Sequence, residues 1–149
     1  MTINRRTFMI SGAITTGLVA CGDAGPGTIM VSANMAAGAN PGPDGSDRPL
    51  TLTLLSLTAQ DAFDSSDVLA LQDPETALGA TLLRKDQLAL APGGSGKLDV
   101  PVAPGATTLA VVAGFRDVAG KTFRATTAIP ATGDLAVTIA VTPSGLSVS

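Results

Sequence analysis

The sequence predicts an all-β domain, a two-sheet β-sandwich with a short helical insertion. Three observations carry that expectation. Short stretches alternate apolar and polar residues one by one, as half-buried strands do. Seventeen Gly and ten Pro are spread along the chain between those stretches, a composition that favours turns over long helices. One segment only, between residues 59 and 86, shifts toward helical signals. The chain has 149 residues, 45% of them hydrophobic, but only 3% aromatic with no Trp and no Tyr. That length suits one domain, whose core must be built from Leu, Val, Ile and Ala with a few Phe.

The elements follow in order. Ile29, Val31 and Ala33 alternate with Thr28, Met30 and Ser32, so a first strand is expected from Thr28. Residues 36–49 contain Asn40-Pro41-Gly42-Pro43-Asp44-Gly45. Pro removes donors and Gly removes side chains there, so the segment is expected as a long exposed connection. Leu50 to Leu57 is a second strand in which Leu50, Leu52 and Leu54 share a face while Leu55 and Leu57 fall on the other. Either a bulge shifts the phase or both faces are buried. Ser65 or Ser66 is expected to cap a helix through residues 68–71, and Asp73-Pro74-Glu75 to start another. Strands then return. Residues 97–102 alternate, with Pro101 outward as an edge or strand end. Thr107 to Phe115 is nearly continuous apolar, which predicts a central buried strand. Residues 123–129 and 135–142 alternate again, with Gly105, Gly120 and Gly133 at turns between strands.

The N-terminus has its own organisation. Arg5-Arg6 are followed by an uncharged stretch from Thr7 to Ala20, then by Cys21. A basic start, an apolar middle and small residues before a cut define a secretory signal. The stretch is short for a spanning helix, which needs about 20 mostly apolar residues. Leu18-Val19-Ala20-Cys21 resembles a lipobox, which implies diacylglycerol on the Cys21 thiol and cleavage before it. Residues 1–20 are therefore expected as a signal, residues 21–27 as a lipidated tether and residues 28–149 as the sandwich. Asn4 to Met9 resembles a twin-arginine signal and serves equally as a basic start for general secretion. Gly22 in place of Asp after the Cys favours sorting to the outer membrane. Two or more acyl chains anchor stably, at about 0.8 kcal/mol per buried CH2.

Composition excludes several functions. The precursor carries a net charge of −3, and loss of Arg5 and Arg6 leaves seven basic against twelve acidic residues. No basic, aromatic-interleaved patch is present, so nucleic acid is not an expected partner. There is no His, and the one Cys is assigned to lipid, which removes serine-type triads, thiol catalysis and thiolate metal sites. Gly93-Gly94-Ser95-Gly96 lacks the spacing of a nucleophile elbow. Asp61, Asp64 and Asp67 lie three apart without a calcium-loop pattern, and suit a solvated helix face. No enzyme, metal, cofactor or small-molecule substrate is expected.

Several segments occur in an order that resembles the TssJ family, the outer-membrane lipoproteins of the type VI secretion system. They are the lipobox, Asn40-Pro41-Gly42-Pro43-Asp44 ending in Arg48-Pro49-Leu50, and Phe63 to Leu71. The others are Leu82-Leu83, the run from Leu88 to Gly93, and the stretch from Leu109 to Asp117. The resemblance covers essentially the whole mature chain. It implies a transthyretin-like sandwich that faces the periplasm and binds the periplasmic region of TssM, with TssL engaged indirectly. It also implies that the loop between the first two strands is the contact, here Asn40, Pro41, Gly42, Pro43, Asp44 and Arg48. Two departures concern packing: Leu55-Ser56-Leu57 stands where the family often has a Tyr, and Phe123-Arg124 where Trp-Arg is common. A small-ligand or carbohydrate-binding lipoprotein is the alternative, and would need exposed aromatic residues in a concavity.

Overall fold

The computed structural model describes residues 26–149; the expected signal, Cys21 and most of the tether lie outside the described residues. Eight strands form: β1 (Pro26–Met35), β2 (Leu50–Leu57), β3 (Leu82–Leu90), β4 (Ser95–Pro101), β5 (Thr108–Ala113), β6 (Arg124–Ala128), β7 (Gly133–Thr142) and β8 (Gly145–Val148). Between β2 and β3 lie two short helices, α1 (Asp61–Ser65) and α2 (Pro74–Leu78), with 3-10 turns at Ala70–Gln72 and Gly79–Thr81. One sheet has the order β4-β1-β7-β8 and the other β3-β2-β5-β6. Every pairing is antiparallel except β1 with β7. This is the two-sheet sandwich with a helical insertion that the alternation predicts.

The main core lies between the sheets. Ile29, Val31 and Ala33 from β1 meet Leu50, Leu52 and Leu54 from β2, Leu109 and Val111 from β5, and Val137, Ile139 and Val141 from β7. A second apolar cluster lies on the outer face of the β2–β5 sheet, where Leu55, Leu57, Ala110 and Val112 pack under Phe63, Leu71 and Leu78 of the insertion. Both faces of β2 are therefore buried, which resolves the phase of Leu55 and Leu57. The pairing of β2 with β5 runs unbroken from Leu52 to Leu57. The irregularity in this sheet is on β3, where Leu83 is the extra residue opposite Ser56 and Leu57.

Some expectations shift. β1 starts at Pro26 rather than Thr28, with Pro26 paired to Gly133 of β7, an approach that a Cβ at Gly27 would block by colliding with the Gly133 carbonyl. Gly27 thus belongs to a close strand approach. Ser65 and Ser66 end a helix instead of starting one: both hydroxyls donate back to the Ala62 carbonyl. The turn that follows is held by Asp67, whose carboxylate accepts the Ala70 N–H at 2.8 Å. Asp73-Pro74 does open a helix, α2, with Pro in its first turn and Asp73 accepting the Thr76 hydroxyl at 2.6 Å. β5 is buried along its whole length and sits inside its sheet, as its apolar run predicts. β4 is an edge strand with Pro101 exposed.

Candidate functional site

β1 and β2 lie in different sheets, so residues 36–49 must cross from one to the other at the end of the sandwich where β1 stops. The crossing is not slack. Ala36 N–H donates to the Val141 carbonyl at 2.8 Å, and Arg48 N–H donates to the Asn40 carbonyl at 2.9 Å. Pro41 and Asp47 form an isolated antiparallel bridge. Within it Gly42 N–H donates to Ser46 O at 2.7 Å and Gly45 N–H to Gly42 O at 3.0 Å. Gly42-Pro43-Asp44-Gly45 is thus a turn with Pro at its second position, closing on Gly45 at φ +80°, a backbone region that Gly occupies without strain.

Two polar residues fix this miniature hairpin to the sandwich. The Asp47 carboxylate accepts the N–H groups of Gly38 and Asn40 at 2.6 and 3.0 Å. Asn40 is only 3% exposed. Its side-chain oxygen accepts the Arg116 N–H at 2.9 Å, and its amide donates to the Pro49 carbonyl at 3.1 Å. Lys121 adds a third tie, donating to the Ala39 carbonyl at 2.8 Å while its ammonium stands 4.8 Å from the Phe115 ring. The 36–49 loop and the 114–123 connection form one platform as a result.

The expected contact residues divide into two groups. Pro43 and Asp44 are exposed and Gly42 half-buried at the turn, and Pro41 and Arg48 are exposed on the two arms below it. Asn40 has no side-chain surface to offer, and holds the others in place. Arg48 and Asp44 approach to 3.4 Å, with both side chains more than half exposed, a pairing that contributes little in water. The Asp44 carboxyl is held below its ordinary range first by the Ser46 N–H it accepts, and further by Arg48. Asp47, Lys121 and the Arg116 amide were not legible as loop anchors. The one sequence signal was Asn40 before a proline, and Asn before Pro initiates turns in many contexts.

Elsewhere, Arg124 organises the insertion. Its guanidinium donates to the carbonyls of Phe63 and Asp64, each at 2.9 Å, and to Ser66 O, and it lies over the Phe63 and Phe123 rings. The last carbonyls of α1 thereby find a cationic partner. A shallow hollow of about 170 Å3 opens beside the insertion, lined by Thr53, Gln72, Lys85 and Gln87 among others, and by no aromatic ring. None of Phe63, Phe115 and Phe123 is exposed. Among the described residues no group of three His, Cys, Asp or Glu is placed to hold a metal ion. No helix among them is long and apolar enough to cross a membrane.

The family described as type VI secretion lipoprotein (VasD, EvfM, TssJ, VC_A0113) matches residues 28–144. No curated protein matches the chain. Among solved structures, the fold is similar to the T6SS lipoprotein TssJ1 from Pseudomonas aeruginosa, at 25% identity and a TM-score of 0.76, over 83% of this chain and 95% of that one. It is similar to Serratia marcescens Lip, described as a membrane bound component of the Type VI Secretion System, at 26% identity and a TM-score of 0.77, over 83% and 98%. A chain of a Type VI membrane complex shares the fold at 23% identity and a TM-score of 0.71, over 83% and 98%.

Proposed function

The chain belongs to the type VI secretion lipoprotein family, and on that premise we propose that it docks the secretion membrane complex to the outer membrane. Acylated Cys21 holds it in the inner leaflet, the sandwich faces the periplasm, and the 36–49 loop binds the periplasmic region of TssM, with TssL reached through TssM. The role is mechanical rather than catalytic. Its family is a secretion-system lipoprotein family and not an enzyme family.

The observation that carries the loop assignment is its rigidity. A connection of fourteen residues outside any strand or helix is longer than most, and such loops are functional or disordered. This one is tied at Asn40, Asp47 and Lys121 yet leaves Pro41, Pro43, Asp44 and Arg48 exposed. A prefixed surface loses little entropy on binding. Deleting residues 42–46 from a Cys21→Ser protein should abolish capture by the TssM periplasmic domain while the far-UV circular dichroism stays that of the parent. Capture at the parental level would remove the loop assignment. The acyl role is tested apart from it: Cys21→Ser in the cell should release a folded protein that no longer supports secretion.

A further inference from the structure

The two ends of the sandwich differ in chemistry. β1 runs from Pro26 to Met35, so at roughly 3.3 Å per residue its ends stand about 30 Å apart. The 58–81 connection also starts at this end, where Thr58 O accepts the Thr107 hydroxyl at 2.8 Å, and folds back over the outer face of its sheet. The other two are Val102–Thr107, between β4 and β5, and Ile129–Thr132, between β6 and β7. They are joined to the base of β1: Val102 N–H donates to Gly27 O at 3.0 Å and Ile129 N–H to Thr107 O at 2.9 Å. Gly133, the next residue, pairs with Pro26. Neither connection contains a charged residue, and Pro104, Gly105, Thr107, Pro130, Ala131 and Thr132 are exposed. Asp134, exposed just beyond Gly133, accepts the Thr28 N–H at 2.8 Å. At the opposite end, the two long connections carry Asp44, Asp47, Arg48, Arg116, Asp117 and Lys121.

We infer that the uncharged rim at residues 102–107 and 129–133 is a foot that rests on the bilayer holding the acylated N-terminus. The inference depends on Cys21 being the lipidated residue. Five peptide steps separate Cys21 from Pro26, a span of at most about 18 Å, so the base of β1 cannot leave the headgroup region by more than that. The leash supplies a high effective concentration of surface. A neutral rim meets that surface without desolvating an ion, whereas the charged end could not do so cheaply. The foot therefore stands the domain upright and points the 36–49 loop away from the membrane.

The test uses the acylated full chain in vesicles of phosphatidylethanolamine and phosphatidylglycerol. With the Cys21 thiol consumed by acylation, an introduced cysteine is the one reactive thiol, so a fluorophore goes on Thr132→Cys or on Asp44→Cys. Nitroxide-headgroup lipids should quench the label at 132 several-fold more than the label at 44. Equal quenching, or stronger quenching at 44, in protein that floats with the vesicles would overturn the foot and leave the anchor standing. Protection at 132 only on adding a TssM periplasmic domain would also overturn it, by giving the rim to a protein. Failure to float, with no acyl mass on the N-terminal peptide, would instead overturn the Cys21 assignment.

Discussion

Asn40→Ala removes a side chain that is 3% exposed and bonded at both ends of its amide. The Arg116 N–H loses its acceptor at 2.9 Å and the Pro49 carbonyl its donor at 3.1 Å. Each bond contributes about 1 kcal/mol net, and each buried group left unsatisfied adds a penalty of similar size, so a loss of about 2–4 kcal/mol is expected. With no Trp or Tyr in the chain, urea unfolding followed by far-UV circular dichroism gives the stability. Hydrogen exchange at the Arg116 and Arg48 amides gives the locality. Asn40→Asp sharpens the test. Its carboxylate still accepts from Arg116 but faces the Pro49 carbonyl with an oxygen, near the Asp47 carboxylate that accepts the residue-40 N–H. Burial and that neighbour raise the new carboxyl above the unfolded value of about 3.9. The folded state then holds the proton more tightly, so the penalty is small below about pH 4 and grows as pH rises through the folded pKa. The aspartate variant should therefore converge on the parent as pH falls from about 7 to about 4. An alanine variant within about 0.5 kcal/mol of the parent, with unchanged exchange at Arg116, would refute the anchoring role.

Three further outcomes are expected. Arg124→Lys should fail to rescue Arg124→Met, since one ammonium nitrogen cannot occupy the positions of both guanidinium nitrogens that serve the Phe63, Ser66 and Asp64 carbonyls; exchange should rise at residues 61–66 in both, and protection restored by Lys would contradict the clamp. Leu55→Ala, buried under the insertion, should lower stability by about 2–4 kcal/mol, read from the urea midpoint, with amides of the insertion exchanging before those of β1. The Asp44 carboxyl is lowered by its hydrogen bond from Ser46. Its support of the tip is thus complete above the ordinary carboxylate value and is lost only as pH falls through the lowered one. A Ser46 amide resonance that titrated at or above the ordinary aspartate value of about 3.9 would contradict this.

The sandwich was legible because its central strands carry period-two patterns or unbroken apolar runs. The buried β5 followed from residue type alone, whereas β2 admitted either a bulge or two buried faces until the unbroken β2–β5 register and the cluster under the insertion decided for the second. β3 was not legible, for a physical reason. As an edge strand it exposes Arg84 and Lys85, and the extra residue Leu83 reverses which face its flanking residues take. The four-residue β8 is too short to show any period. The helices were placed in the right segment, but Ser65 and Ser66 were given the wrong end, because their hydroxyls bond backward along the chain. At the loop, proline and glycine marked the turn correctly. What sequence could not supply was long-range partnership: Asn40 meets Arg116 seventy-six residues away, and no local pattern encodes that meeting.

β1 begins at Pro26 and ends at the 36–49 loop, while lying between β4 and β7 inside its sheet. A pull along the chain from Pro26 would therefore load the hydrogen bonds to both neighbours in shear. Bonds loaded that way must yield together, whereas bonds at a free edge can unzip singly. The strand acts as a tie-bar, carrying tension between its two ends without first peeling the sheet apart. Under the proposed docking role, with one end held and the other gripped, that strand placement decides whether the domain transmits force or comes undone.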